Sequence, residues 1–287
     1  MCITKQIHFT SAMNLAFLLF FLIFPLVSGH GKILMPPGRG TLWRFGHPTP
    51  VNWDDDGNFC GGYSTLWLLN DGKCGVCGDA YNGPRDHEVG GKYYSGVIGA
   101  TYQQGQTIDI LLQITANHRG FFQFSLCPNA DNKTEVTQEC LDSHILDIEG
   151  HGKKYNISSP DQTLEVELKL TLPEDVKCDH CVLQWHWRTS NFWGMCDNDT
   201  GALGCGPQEV YRNCADISIK PKTYVGEPFD NSLNDAMLNY VKQPWFEAIQ
   251  ALRKQNYRAP AAEHKYPVTY LYGYPVGLNW QFRSISP

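Results

Sequence analysis

Eleven cysteines run along the 287 residues, and all but Cys2 lie beyond residue 29. Cys2 belongs to a segment in which Lys5 precedes an apolar run from Leu15 to Val27, followed by Ser28 and Gly29. That run is shorter than the ~20 residues a membrane-crossing helix needs. A basic residue, a short apolar block and small residues make the pattern of a secretory signal peptide. Residues 1–29 are therefore expected to be removed, with Val27 and Gly29 at the cleavage site and His30 as the first mature residue. Ten cysteines then remain, an even number in an oxidising compartment, which reads as a framework of five disulfides with the pairing left open. Two C-x-x-C pairs, Cys74/Cys77 and Cys178/Cys181, are about a hundred residues apart, too far for a zinc ribbon with its ~15–20-residue spacing.

A chain with so many cross-links is expected to be built from short elements joined by loops, and the texture from His30 to Ile219 agrees. Thr107–Thr115, Phe121–Leu126, Leu164–Leu170 and Cys181–Arg188 read as strands, separated by clusters of Gly, Pro, Asn and Asp. Leu164, Val166, Leu168 and Leu170 alternate with polar residues, the sign of one buried face. Hydrophobic residues make up 42% of the chain, enough for a substantial core. The expected fold is all-β: an immunoglobulin/fibronectin-like β-sandwich with long loops and short helices, stapled by disulfides. Residues 220–287 form a C-terminal extension of different character, net +3 against −10 for residues 30–219. Leu233, Ala236, Met237, Tyr240 and Val241, then Trp245, Ala248, Ile249 and Leu252, recur at helical spacing, so the extension is expected to be partly helical. The aromatic stretch Tyr266–Tyr274 could pack on the main domain, bind a partner or move freely. Three sequons, at Asn132, Asn156 and Asn198, suit an exported glycoprotein.

The chain carries a net charge of −6, or −7 once Lys5 leaves with the leader. It offers no basic footprint for nucleic acid or an anionic membrane. The chemistry points elsewhere. A mature N-terminal His30 presents two nitrogens, its α-amine and its imidazole, which can chelate one metal ion. The α-amino pKa near 8 leaves a usable unprotonated fraction at neutral pH. A second imidazole would complete a three-nitrogen set, and nitrogen-rich tetragonal sites favour copper. Of the other mature histidines, His118 stands out because it follows the end of the strand Thr107–Thr115, where a side chain is held rigidly. His144/His151 and His180/His186 are the reserve pairs.

Carboxylate chemistry is the rival. Glu165 and Glu167 fall on the polar face of an alternating strand, and Asp54-Asp55-Asp56 reads as a solvated loop with calcium as a minor reading. No Gly-x-Ser-x-Gly elbow, P-loop or dinucleotide fingerprint is present.

His30-Gly31, Met35-Pro36-Pro37-Gly38-Arg39, Cys74-Gly75-Val76-Cys77-Gly78-Asp79, Ala116-Asn117-His118-Arg119-Gly120 and Gln208-Glu209-Val210-Tyr211-Arg212-Asn213-Cys214-Ala215-Asp216-Ile217 together resemble the lytic polysaccharide monooxygenases. The nearest type is auxiliary-activity family 15, found largely in arthropods and other invertebrates. The resemblance covers residues 30–219. It implies that His30 and His118 are the two histidines of a copper brace, one ion per chain. Tyr211 matches the axial aromatic position, Glu209 a Glu/Gln position that orients the oxygen species, and Ala116 a small residue near the axial face. It further implies an external electron donor, dioxygen or hydrogen peroxide as cosubstrate, and hydroxylation at C1 or C4 of an insoluble polysaccharide. Chitin is the first expectation, as the abundant invertebrate polysaccharide, and cellulose the second. The expected protein is secreted, monomeric and free of the membrane after signal cleavage. A non-catalytic chitin-binding protein on the same scaffold is the alternative. Trp43, Trp53 and Tyr63 are candidate substrate contacts, with core packing the competing role for each.

Overall fold

Alternation along Leu164–Thr171 sets the geometry of the molecule: Val166, Leu168 and Leu170 point inward while Glu165, Glu167 and Lys169 face out. The computed structural model describes residues 30–129, 133–157, 159, 161–222, 270–276 and 279–285. The signal-peptide segment, the Asn132 sequon and the helical pattern of residues 233–252 lie outside the described residues. In chain order the main strands are β1 (His30–Met35), β2 (Ala100–Gln103), β3 (Thr107–Ala116), β4 (Phe121–Pro128), β5 (Asp147–Ile148), β6 (Tyr155–Asn156), β7 (Leu164–Thr171), β8 (Cys178–Arg188), β9 (Trp193–Met195), β10 (Gly201–Leu203) and β11 (Val210–Lys220).

One sheet has the order β1-β3-β7-β5 and the other β2-β11-β8-β4-β6. Every pairing is antiparallel except β11 with β2. Ile108, Ile110, Leu112 and Ile114 from β3 and the inward residues of β7 meet Phe122, Phe124 and Leu126 of β4, Leu183, Trp185 and Trp187 of β8, and Ala215, Ile217 and Ile219 of β11. This is the expected β-sandwich. The intervening residues of β8 and β11 are buried too, because the 74–98 loop region and a short helix (Gln138–Ser143) lie over the outer face of that sheet. Val182 and Cys214 join Val76, Cys77, Val136 and Leu141 in a second apolar cluster there. Burial on both faces explains why Cys181–Arg188 reads as a nearly continuous apolar run.

All ten expected cysteines are paired: Cys60–Cys74, Cys77–Cys214, Cys127–Cys140, Cys178–Cys181 and Cys196–Cys205. Only the second C-x-x-C closes on itself. Cys77–Cys214 spans 137 residues and pins the long loop region onto β11, restraining the unfolded chain more than any other bridge. In the extension, β12 (Tyr270–Val276) pairs antiparallel with β13 (Asn279–Ile285), so part of the aromatic stretch is a hairpin strand.

Gly31 is where the fold is least tolerant near the chain's functional end. A Cβ there would stand 2.9 Å from Ile114 Cδ1 and 3.0 Å from the Trp185 ring. Gly31→Ala is expected to cost about 1–3 kcal/mol through overpacking, read as a lowered denaturation midpoint. Its neighbour His30 is expected to shift with it.

Candidate metal centre

The β1–β3 register puts His30 opposite Ala116, the last residue of β3, with a bulge between His30 and Gly31. His118 lies two residues further on, so both histidines sit at the same end of the same sheet. The backbone of His30's neighbour Gly31 donates to the Asp56 carbonyl at 2.9 Å. Thr115 Oγ1 donates to Asp56 Oδ2 at 2.6 Å. The 54–57 loop is thereby tied to the strand ends, and His30, Asp54 and Asp56 each place one ligand atom within 4.8 Å of the others. The Asp run is not the uniformly solvated loop expected from sequence: Asp55 is buried and bonded to both Lys32 (3.2 Å) and Arg44.

His118 is held by the turn that follows β3. Asn117 Nδ2 donates to the carbonyls of Ser159 (3.1 Å) and Asp161 (3.0 Å), and Asn117 Oδ1 accepts from Arg119 N at 2.7 Å. Trp187 Nε1 donates to the Arg119 carbonyl at 2.6 Å. Arg119 adopts a positive φ of 56° and Gly120 one of 88°, and a side chain on Gly120 would strike the Arg188 carbonyl. Gly120 is therefore required by both its dihedral and its surroundings.

His118 Nδ1 lies 3.1 Å from Glu209 Oε2. Asn191 Nδ2 packs 2.8 Å from the same ring nitrogen and donates to that carboxylate oxygen at 3.3 Å. A carboxylate only accepts, so the Glu209 contact calls for a proton on Nδ1, whereas the amide of Asn191 only donates and calls for that nitrogen bare; in the tautomer that Glu209 favours, Nε2 keeps its lone pair. A histidine that donates one N–H to a carboxylate and turns its other nitrogen outward is the usual preparation of a metal ligand. Glu209 stands just before β11, and Tyr211 follows within it. Tyr211 is fully buried, its ring 4.8 Å from that of Trp187 and 6.0 Å from that of Phe59. Burial, followed by the charges of Glu209 and Asp56, raises its pKa well above the usual phenol range, so it stays protonated. Tyr211 is packed as a core residue.

Other histidines are engaged elsewhere. His180 Nε2 is 2.7 Å from Asp216 and buried. His186 accepts from Arg212 Nε at 3.2 Å, and burial, then Arg212, Arg188 and Lys154, push its pKa down to about 3. His144 turns Nδ1 to Ser143 and the Cys140 carbonyl, and His151 packs against Tyr155. Of the aromatic candidates, Trp43 and Trp53 pack edge-on at 5.0 Å, and Tyr63 stacks on Phe192 at 4.2 Å. Sequence reasoning missed Asp54, Asp56 and Asn191 as neighbours of the histidines. No spacing signals them, because separate loops bring them in.

Residues 30–217 match the family model described as lytic polysaccharide mono-oxygenase, cellulose-degrading. The chain belongs to that family, and is a copper-dependent polysaccharide monooxygenase. Within it the chain is of the auxiliary-activity 15 type. It is 47% identical to a solved structure, the lytic polysaccharide monooxygenase AA15 from Thermobia domestica in the Cu(I) state, with a TM-score of 0.64 over 66% of this chain and 98% of that one. A chitin binding domain from Burkholderia pseudomallei also aligns, at 11% identity and a TM-score of 0.37 over 67% of this chain and all of that one, a likeness too low to carry any argument. No curated protein sequence matches the chain.

Proposed function

We propose that the α-amine and imidazole of a mature N-terminal His30, with the imidazole of His118, hold one copper ion per chain, and that the protein is a secreted monomer acting on chitin. The observation that supports the metal assignment is the Glu209–His118 contact, which favours the tautomer with Nε2 as donor, at the strand end that carries His30. The donor set fits the ion: three neutral nitrogens favour copper over zinc or magnesium. Asp54 and Asp56 add negative charge next to His30, which favours a cation there.

Each side chain then has a task. Glu209 holds the Nδ1 proton of His118 and fixes the ring plane, and Asn191 shares that carboxylate. Tyr211 would present a protonated phenol toward the site, and Ala116, opposite His30, would keep the neighbouring surface small. The chemistry such an ion supplies is one-electron: reduction by an external donor, and activation of dioxygen or hydrogen peroxide to hydroxylate C1 or C4 of a glycosidic link. No helix among the described residues is long and apolar enough to cross a membrane.

Glu209→Ala is expected to weaken copper binding by about 10–100-fold in a calorimetric titration. Glu209→Gln should lose less, since its amide oxygen still accepts from Nδ1. The choice of chitin rests on the resemblance to the invertebrate type, and mass spectrometry of products tests it. Copper-loaded mature protein with a reductant should release oxidised oligosaccharides from chitin. Products from cellulose alone would overturn the choice.

A further inference from the structure

Three consecutive aspartates beside His30 are placed in two different ways. Asp55 is turned inward, where Lys32 Nζ lies 3.2 Å from its Oδ1, Arg44 Nη2 donates to the same oxygen at 3.0 Å and Arg44 Nε bonds its Oδ2. Asp54 is exposed and Asp56 half-buried, and each brings a carboxylate oxygen within 4.8 Å of a ring nitrogen of His30. Like charges that close repel one another, so the loop must be held against its own charge.

The holding contacts are specific. Lys32 lies in β1 two residues after His30, so Asp55 ties the loop to the strand that carries that histidine. Thr115 Oγ1 donates to Asp56 Oδ2 at 2.6 Å, and the Asp54 amide donates to Asn52 Oδ1 at 3.1 Å. A side chain at Gly57 would stand 2.7 Å from Asp54 Oδ1, so the glycine leaves room for that carboxylate. From the other side, Asp56 and Glu209 both act on the buried phenol of Tyr211 and help to raise its pKa, so their charges bear on one region although they come from distant segments. Arg119, next to His118, is exposed, where solvent screens it.

We infer that Asp54 and Asp56 tune the copper centre: their fixed negative charge beside His30 favours Cu(II) over Cu(I) and lowers the potential at which an external donor delivers its electron. Cu(II) carries one positive charge more than Cu(I), so a neighbouring carboxylate stabilises it more. The same charge makes Cu(I), once formed, a stronger one-electron donor to dioxygen or peroxide. The inference rests on the copper reading of the site and goes beyond it, assigning the choice of oxidation state to two residues outside the nitrogen ligands.

The test is a pair of affinities of the mature protein, for Cu(II) in air and for Cu(I) without oxygen, each by competition with a chelator of known affinity. Asp56→Asn keeps the shape and the acceptor for Thr115 but removes the charge. It should lower both affinities and reduce the Cu(II)-to-Cu(I) ratio about tenfold, which is a rise of about 59 mV in the one-electron potential. Asp54→Asn should change the ratio less, because solvent screens an exposed carboxylate. Asp56→Glu, which restores the charge, should keep the ratio within about threefold of the parent. An unchanged ratio in Asp56→Asn would overturn the inference, even if both affinities fell together, since that is the mark of a displaced loop. If His118→Ala abolished tight binding of both ions while Asp56→Asn kept the parental ratio, the copper reading would stand and the tuning alone would fall. If His118→Ala bound both ions as the parent does, the copper reading would fail and the tuning with it.

Discussion

One extra residue ahead of His30 is expected to weaken copper binding by at least about a hundredfold, roughly 2.7 kcal/mol. An added Met turns the α-amine into a peptide nitrogen, whose lone pair is delocalised and no longer a ligand at neutral pH. The imidazole then binds alone, without the effective-concentration gain of two donors on one residue. Calorimetric titration of the authentic and extended proteins measures the loss. His118→Ala should go further and remove both the Cu(II) electron paramagnetic signature and the oxidised products. Neither change should greatly lower the metal-free melting temperature, because the core of β3, β8 and β11 is untouched. Unchanged affinity in the extended protein would move the ion away from His30. The buried His180 and the half-buried His186 are poor substitutes: one is bonded to Asp216 and the other to Arg212.

The parts of this site that were legible in the sequence are those encoded locally. The period-2 alternation of Leu164–Leu170 marks a half-buried strand without any knowledge of its partners, and its burial pattern follows that alternation. His118 was legible because it directly follows a strand, and His30 because the leader pattern ends just before it. What escaped depends on contacts between distant segments. Asp56 reaches His30 through a loop whose anchor is Thr115, and nothing in the loop's own residues announces that anchor. Asp55 looked like its neighbours, yet Lys32 and Arg44 draw it into the interior. The paired strands β9 and β10 have three residues each, too short to show a period, and the glycines there read as turn signals. Gly201 does different work, making room for the Trp193 indole.

Asp216→Ala is expected to destabilise the protein by up to about 3–5 kcal/mol, the usual cost of breaking a buried ion pair, with Glu135 still bonded to Arg39 at 2.6 Å. Asp216 accepts from Arg39 at both oxygens, each at 2.8 Å, and its Oδ1 also lies 2.7 Å from His180 Nε2. Burial alone would raise its pKa, but the Arg39 and His180 hydrogen bonds outweigh it and hold the value below the ordinary 3.8. The unfolded chain therefore takes up this proton first as pH falls. The carboxylate's contribution is complete above pH 3.8 and is lost as pH drops through the depressed folded value. Acid unfolding of the parent should be steep there, and the variant should lack that component. The effect should also reach the metal centre. Arg39 donates to the His87 carbonyl at 2.9 Å; His87 bonds Asp79 at 2.8 Å and accepts from Asn52 at 3.2 Å; Asn52 Oδ1 takes the Asp54 amide at 3.1 Å. Asp54 is one of the two carboxylates beside His30, so loosening Asp216 should weaken copper binding as well as lower the melting temperature. Binding linkage then predicts that saturating copper restores part of the lost stability, by RT ln(1 + [Cu]/Kd) with the variant's own Kd. A variant destabilised to the stated extent but with parental copper affinity would show that the chain from Arg39 to Asp54 holds the loop without positioning the site.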